Sequence, residues 1–149
     1  MTTIAANKTS MACDLQFTKG NIKLKGSTKI LELDEEICKE MFGCKKALLG
    51  FAGNADTWVE VVNWFYDISE KPPRCKGIEF LLLNDKKQLY HGYNLRNWML
   101  LPDKHFAIGS GESFAIGAMT AGKSPLEAVK VAGQHDVNTG LGYKEYTID

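Results

Sequence analysis

The feature that most constrains this chain is the order in which its apolar runs arrive. Residues 2–7, 11–17 and 22–25 read as short strands, with 29–33 as a further, less regular one. Lys8-Thr9-Ser10 joins the first two as a hairpin. Asp34 to Gly43 reads as a short helix. Asp34 can cap it, Glu35 and Glu36 suit its N-terminal dipole, and Gly43 can end it. Residues 47–53 form a buried strand ending in glycine. A helix follows, capped by Asn54 or Asp56, with Trp58, Val61, Val62 and Phe65 on one face and Lys71-Pro72-Pro73 as its stop. Residues 78–83 and 88–92 are strands around an Asn84–Lys87 turn, and 98–101 is apolar but ambiguous in type. Phe106-Ala107-Ile108 runs into Gly109-Ser110-Gly111 and a helix from Ser113 to Ala121, with Gly122 as its C-cap. Ser124-Pro125-Leu126-Glu127 is a capping box that opens a second helix, ending near Gly133 or His135. A turn at 136–140 leads to a last strand over 143–148. The strands cluster instead of alternating with helices, so the pattern predicts one α/β domain over 1–149, built of packed layers without βαβ units.

Charge and cysteine content narrow the function. The chain has 18 basic and 18 acidic residues, whereas a nucleic-acid binder wants a basic surplus. Lys19, Lys23, Lys25 and Lys29 make a local basic run, read as a solvated strand face except at Lys29. No apolar stretch approaches the 18 residues of a membrane span, and the start lacks the pattern of a signal peptide. Cys13, Cys38, Cys44 and Cys75 have neither CxxC spacing nor histidines at zinc spacing. Reduced structural cysteines in a cytoplasmic protein are expected, with no metal and no cofactor. Three histidines, His91, His105 and His135, take no part in any recognisable motif.

One motif matches by letter and fails by context. Gly117-Ala118-Met119-Thr120-Ala121-Gly122-Lys123-Ser124 fits the phosphate-cradling pattern G-x-x-x-x-G-K-[ST]. That motif needs a strand before it and an unbroken helix after it. Here a helix precedes it, and only 25 residues follow Ser124. A helix C-cap followed by an N-cap is the better reading, with a nucleotide binder kept as the lesser alternative.

The N-terminus carries different chemistry. Once Met1 is removed, Thr2 holds a hydroxyl nucleophile and a free α-amine on one residue. The amine titrates at about 7.7–8.0, so part of it is a free base at neutral pH. Asp14 follows small apolar residues directly, so it is either a turn-former or a partly buried group that needs a partner. Five stretches in order then resemble the proteasome β-subunit family, including its HslV-type members. They are Thr2-Thr3-Ile4; Ala12-Cys13-Asp14 with Thr18; Gly26-Ser27-Thr28-Lys29-Ile30; Leu49-Gly50-Phe51-Ala52-Gly53 with Ala55-Asp56; and Ile108-Gly109-Ser110-Gly111 with Asp136-Val137-Asn138-Thr139-Gly140.

The resemblance implies a four-layer αββα sandwich of the N-terminal nucleophile hydrolase type, with a reduced helical layer. It implies that Thr2 is the nucleophile, that Lys29 favours its deprotonation, and that Asp14 holds Lys29. It gives the Gly50 N–H to the oxyanion, and Ser110, Asp136 and Thr139 to the shell around the terminal amine. Thr18 and Ala52 would pair with the backbone of a substrate peptide, and Leu48 would line the pocket for the residue before the scissile bond. The implied activity is a threonine endopeptidase acting on unfolded polypeptide within a homo-oligomeric ring, and an unfolding ATPase partner is left open. Three departures stand out: a short first hairpin, an inserted helix at 34–43, and Pro72-Pro73 where a second long helix would run. A catalytically inactive ring-forming scaffold of the same fold is the alternative from another class.

Overall fold

The computed structural model describes residues 2–19 and 21–149. Two antiparallel sheets stack face to face, and a pair of helices covers each outer face. The first sheet has the order β10-β1-β2-β11, built from β1 (Thr3–Asn7), β2 (Ser10–Asp14), β10 (His105–Gly109) and β11 (Tyr143–Thr147). The second has the order β5-β6-β7-β8-β9, from β5 (Ile30–Leu33), β6 (Ala47–Gly53), β7 (Ile78–Asn84), β8 (Leu89–Gly92) and β9 (Met99–Leu101). A separate ribbon, β3 (Gln16–Lys19) with β4 (Ile22–Lys25), stands beside them. Helices α1 (Glu35–Phe42) and α2 (Ala55–Trp64) lie on the second sheet, and α3 (Glu112–Thr120) and α4 (Pro125–His135) on the first.

The period-2 alternation of strands sorts the apolar residues into three cores. Ile4, Ala6, Met11 and Cys13 turn inward to meet Leu48, Ala52, Leu81 and Leu83 between the sheets. Their neighbours Ala5, Ala12 and Ala107 turn outward to Ala115, Met119, Ala128 and Val129 of α3 and α4. Leu49, Phe51, Phe80 and Leu82 face Ile37, Cys38, Val61 and Phe65 of α1 and α2. Two sheets between two helical layers form the αββα sandwich expected from the sequence. After α2 no further helix forms before β7, so the α1–α2 layer is the reduced one; α1 fills part of it.

Local signals act as read. Asp34 Oδ1 accepts from Ile37 N, and Gly43 closes α1 with a left-handed φ of 61°. Asn54, not Asp56, caps α2. The capping box at Ser124 is complete. The ambiguous run at 98–101 contributes edge strand β9, paired to β8. The run read as one strand over 11–17 breaks at Leu15. Leu15 N donates to the carbonyls of Gly140 and Gly142, which pulls the chain off the sheet toward the loop after α4. Gly117 to Ser124 is a joint between helices. Ala121, Gly122 and Lys123 N–H bond back into α3, and Ser124 caps α4, so no cradle of free amides exists there.

Candidate functional site

The break at Leu15 creates the site. β2 delivers Asp14 fully buried at its end, beside Thr2, which immediately precedes β1. Asp14 Oδ1 accepts from the Thr2 hydroxyl, from Thr3 N at 3.1 Å and from Lys29 Nζ at 3.0 Å. Its Oδ2 accepts from Gln16 N at 3.3 Å and Gly140 N at 3.1 Å. Lys29 is 1% exposed and spends its three protons on Thr2 Oγ1, Asp14 Oδ1 and the carbonyl of Gln16. Its ammonium also lies 4.9 Å from the Phe17 ring centroid. Burial pulls the Lys29 pKa below the ordinary lysine range, against the opposing pull of the Asp14 charge. Thr2 Oγ1 is therefore bracketed by a cation that donates to it and a carboxylate that accepts from it.

A second polar group stands on the other side of Thr2. The Ser110 hydroxyl donates to Asp136 Oδ2 at 2.5 Å and lies 3.3 Å from the Thr2 carbonyl. Thr139 donates to the same Oδ2 at 2.6 Å, and its oxygen lies 2.8 Å from Thr3 Oγ1. Asn138 N–H reaches Oδ1 at 3.2 Å. Burial works to raise the Asp136 carboxyl; the bonds from Ser110, Thr139 and Asn138 outweigh it and hold its pKa below the ordinary 3.8. Gly109 makes the close approach possible. Its φ is +100°, and a Cβ there would sit 2.0 Å from the Thr2 carbonyl oxygen.

A cleft of about 770 Å³ opens over Thr2 and Lys29, walled by Phe17, Thr18, Leu24, Phe51, Gly53 and Asn54. Of the ten residues expected at the site, the structure brings Thr2, Asp14, Lys29, Ser110, Asp136 and Thr139 together, with Thr18 on the cleft wall. Gly50, Leu48 and Ala52 are placed elsewhere. Gly50 sits inside β6, paired to Ile30 on one side and Leu81 on the other. It is glycine because the sheets meet there: a Cβ would fall 2.7 Å from Ile4 Cγ2. Leu48 lies on the same inward face and packs in the inter-sheet core, away from the cleft. Ala52 is also inward and borders an adjoining cavity with Gly109 and Glu112.

The residues that do reach the cleft from β6 are Phe51 and Gly53. Phe51 N–H bonds to the Lys29 carbonyl, and Asn54 N–H bonds to Gly77 O on the β7 side. Alternation then turns Gly50 N–H toward β7, into the ladder. It turns Gly53 N–H the other way, past the start of β5, where the cleft opens. Gly53 has φ +130°, and a Cβ there would meet the Gly77 carbonyl at 2.1 Å. Only the pairing of β6 with β5 and β7 separates the two glycines. Gln16 was missed as well, and nothing in its local sequence marks it.

Among the described residues, no cluster of three or more His, Cys, Asp or Glu is placed to hold a metal ion. No helix among them is long and apolar enough to cross a membrane. His91 pairs with Glu79 at 2.6 Å, apart from the Thr2 cluster.

No protein-family model matches the chain, and no curated protein sequence matches it significantly. Solved structures do match in fold. BPH from Thiobacillus denitrificans, determined in complex with epoxomicin, superposes with a TM-score of 0.73 at 16% identity, over 99% of this chain and 97% of that one. HslV from Trypanosoma brucei gives 0.70 at 17% identity, over 99% of each chain. A Gly-1 mutant of Anbu from Hyphomicrobium sp. strain MC1 gives 0.73 at 12% identity, over 100% of this chain and 82% of that one. The chain thus has the αββα sandwich fold that is shared by HslV, BPH and Anbu, in a divergent sequence.

Proposed function

We propose that this chain is a threonine-type endopeptidase whose nucleophile is Thr2 after loss of Met1. The observation that carries the reading is the Thr2 hydroxyl, held between Lys29 and Asp14 on the floor of a cleft. Removing Met1 frees the Thr2 amine, whose ordinary pKa suits a general base at neutral pH. The amine takes the hydroxyl proton, directly or through water, and Oγ1 attacks the peptide carbonyl. The adduct then breaks its C–N bond, the leaving amine takes that proton, and water hydrolyses the Thr2 ester. Lys29 stabilises the oxygen as negative charge builds on it, and Asp14 keeps Lys29 in place. Ser110, Asp136 and Thr139 orient the amine. The Gly53 N–H, in place of Gly50, is the donor to the oxyanion; one such donor is worth about 10²–10³-fold in rate. The substrate backbone runs along Thr18 and the start of α2. Phe17, Leu24 and Phe51 form an apolar pocket for the residue before the scissile bond, the part first given to Leu48.

The reaction as written uses no metal or organic cofactor. The proposed setting is a cytoplasmic homo-oligomeric ring that cuts unfolded polypeptide; folded substrates would require an unfolding ATPase.

The test is intact-mass spectrometry of the protein from its native host, before and after treatment with epoxomicin. The expected result is a chain lacking Met1 that gains one inhibitor mass. Thr2→Ala keeps the fold and gains none. Retained Met1 throughout the native protein would overturn the reading. A free Thr2 that stays unreactive would favour the inactive scaffold.

A further inference from the structure

Gln16 is the first residue of β3, directly after the break that frees Asp14 from the sheet. It is only 2% exposed, so each of its polar groups needs a partner. Its backbone carbonyl accepts from Lys29 and its N–H donates to Asp14 Oδ2. Its side-chain amide has two N–H donors. One reaches the Val137 carbonyl at 2.9 Å, and the other the Thr18 hydroxyl at 3.3 Å. A carbonyl partner can only accept, which fixes which end of the amide is nitrogen.

These contacts add a side-chain link to the backbone bonds by which Asp14 and Leu15 already meet Gly140 and Gly142. The loop after α4 carries Asp136 and Thr139 but contains no regular structure. Apolar burial does not hold it at Val137, which is 75% exposed. What holds Val137 is its carbonyl on Gln16. At the other N–H, Gln16 occupies an acceptor position on Thr18, which leaves the Thr18 proton free to donate into the cleft.

We infer that Gln16 is a positioning residue: its side-chain amide ties the Asp136 loop to Thr18, while its backbone carbonyl holds Lys29. This rests on the threonine-peptidase reading for its consequence, though not for its geometry. A substrate edge, a cation and an amine-orienting loop are then registered by one buried residue, the cation through its backbone and the other two through its side chain. Misplacement of about 1 Å in such an arrangement costs on the order of 10²-fold in rate.

The experiment compares the full chain with Gln16→Glu, which keeps the shape but removes both N–H donors, and with Gln16→Ala. Hydrogen exchange reads the loop directly. Faster exchange at Asn138, Thr139 and Gly140, by about tenfold or more, is expected, with β7 and β8 unchanged. Reaction with epoxomicin at varied concentration and pH reads the consequence. Both variants should lose at least about tenfold in the maximal inactivation rate and shift its pH midpoint. Unchanged loop exchange overturns the inference. Faster exchange with unaltered inactivation rate and pH profile also overturns it, leaving Gln16 a structural residue only. If the wild-type chain itself does not react, the peptidase reading fails, and the exchange result alone decides whether Gln16 holds the loop.

Discussion

Two carboxylates flank Thr2, and they are held in opposite ways. Asp14 sits at the end of a strand, fully buried, with a lysine and three backbone N–H groups around it. Asp136 sits just past a helix, partly exposed, with two hydroxyls and one backbone N–H around it. The first site is made of groups that cannot be separated without leaving a charge in the core. The second is made of neutral donors on a loop, each replaceable at modest cost. The pair teaches where rigidity is placed in this molecule: on the side that holds the cation. The side that faces the chain terminus is adjustable.

The sharpest way to break this contrast is to remove one partner of the buried pair. Lys29→Met leaves Asp14 charged and unpaired, and should destabilise the protein by about 3–5 kcal/mol. Asp14→Asn combined with Lys29→Met removes the orphaned charge and should be more stable than Lys29→Met alone. Urea denaturation with matched slopes reads both. Equal stability of the single and double variants would mean that the ion pair is not what secures this side.

How far this was legible in the sequence follows the same division. Burial logic says that Asp14 needs a partner in a core; that the partner is Lys29 came from the family resemblance, since the chain offers 18 basic residues. The elements could be read because the apolar runs at β1, β2 and β6 and the caps at Asp34 and Ser124 are local signals. Gly50 lies in the sheet ladder and not at the cleft for a physical reason. Glycines at 50 and 53 are alike in sequence; only the pairing of β6 with β5 and β7 decides which amide is used in the ladder and which is turned to the cleft. Gln16 was invisible for a similar reason, since its partners Val137 and Lys29 are distant in the chain. Leu15 belonged to an apolar run, and only its bonds to Gly140 and Gly142 show why the strand had to break there.

On the adjustable side the expected effects are smaller and depend on pH. Asp136→Asn loses charge-assisted hydrogen bonds and should cost about 1–3 kcal/mol at neutral pH. Because the folded Asp136 pKa lies below its ordinary 3.8, the stabilising contribution is present above that value. It is lost as the pH falls through the folded value, where the native carboxylate takes up its proton. The stability difference between wild type and variant should therefore be flat from neutral pH down to near 4 and shrink below it. A difference that persists unchanged through the acid range would assign the effect to packing and not to the carboxylate.

The smallest change probes the contact between the β1 strand and the adjustable loop. Thr3 is fully buried, and its hydroxyl meets Thr139, which in turn donates to Asp136. Thr3→Val keeps the shape and removes the hydroxyl. A neutral bond of this kind is worth about 0.5–1.5 kcal/mol, and Thr139 retains its stronger partner Asp136. The loss should therefore fall in that range. It should couple to Asp136→Asn in a double-mutant cycle and add independently to Lys29→Met, since the latter acts through Asp14. The reverse pattern would mean that the strand transmits strain between the two carboxylates, and that the rigid and adjustable halves form one unit.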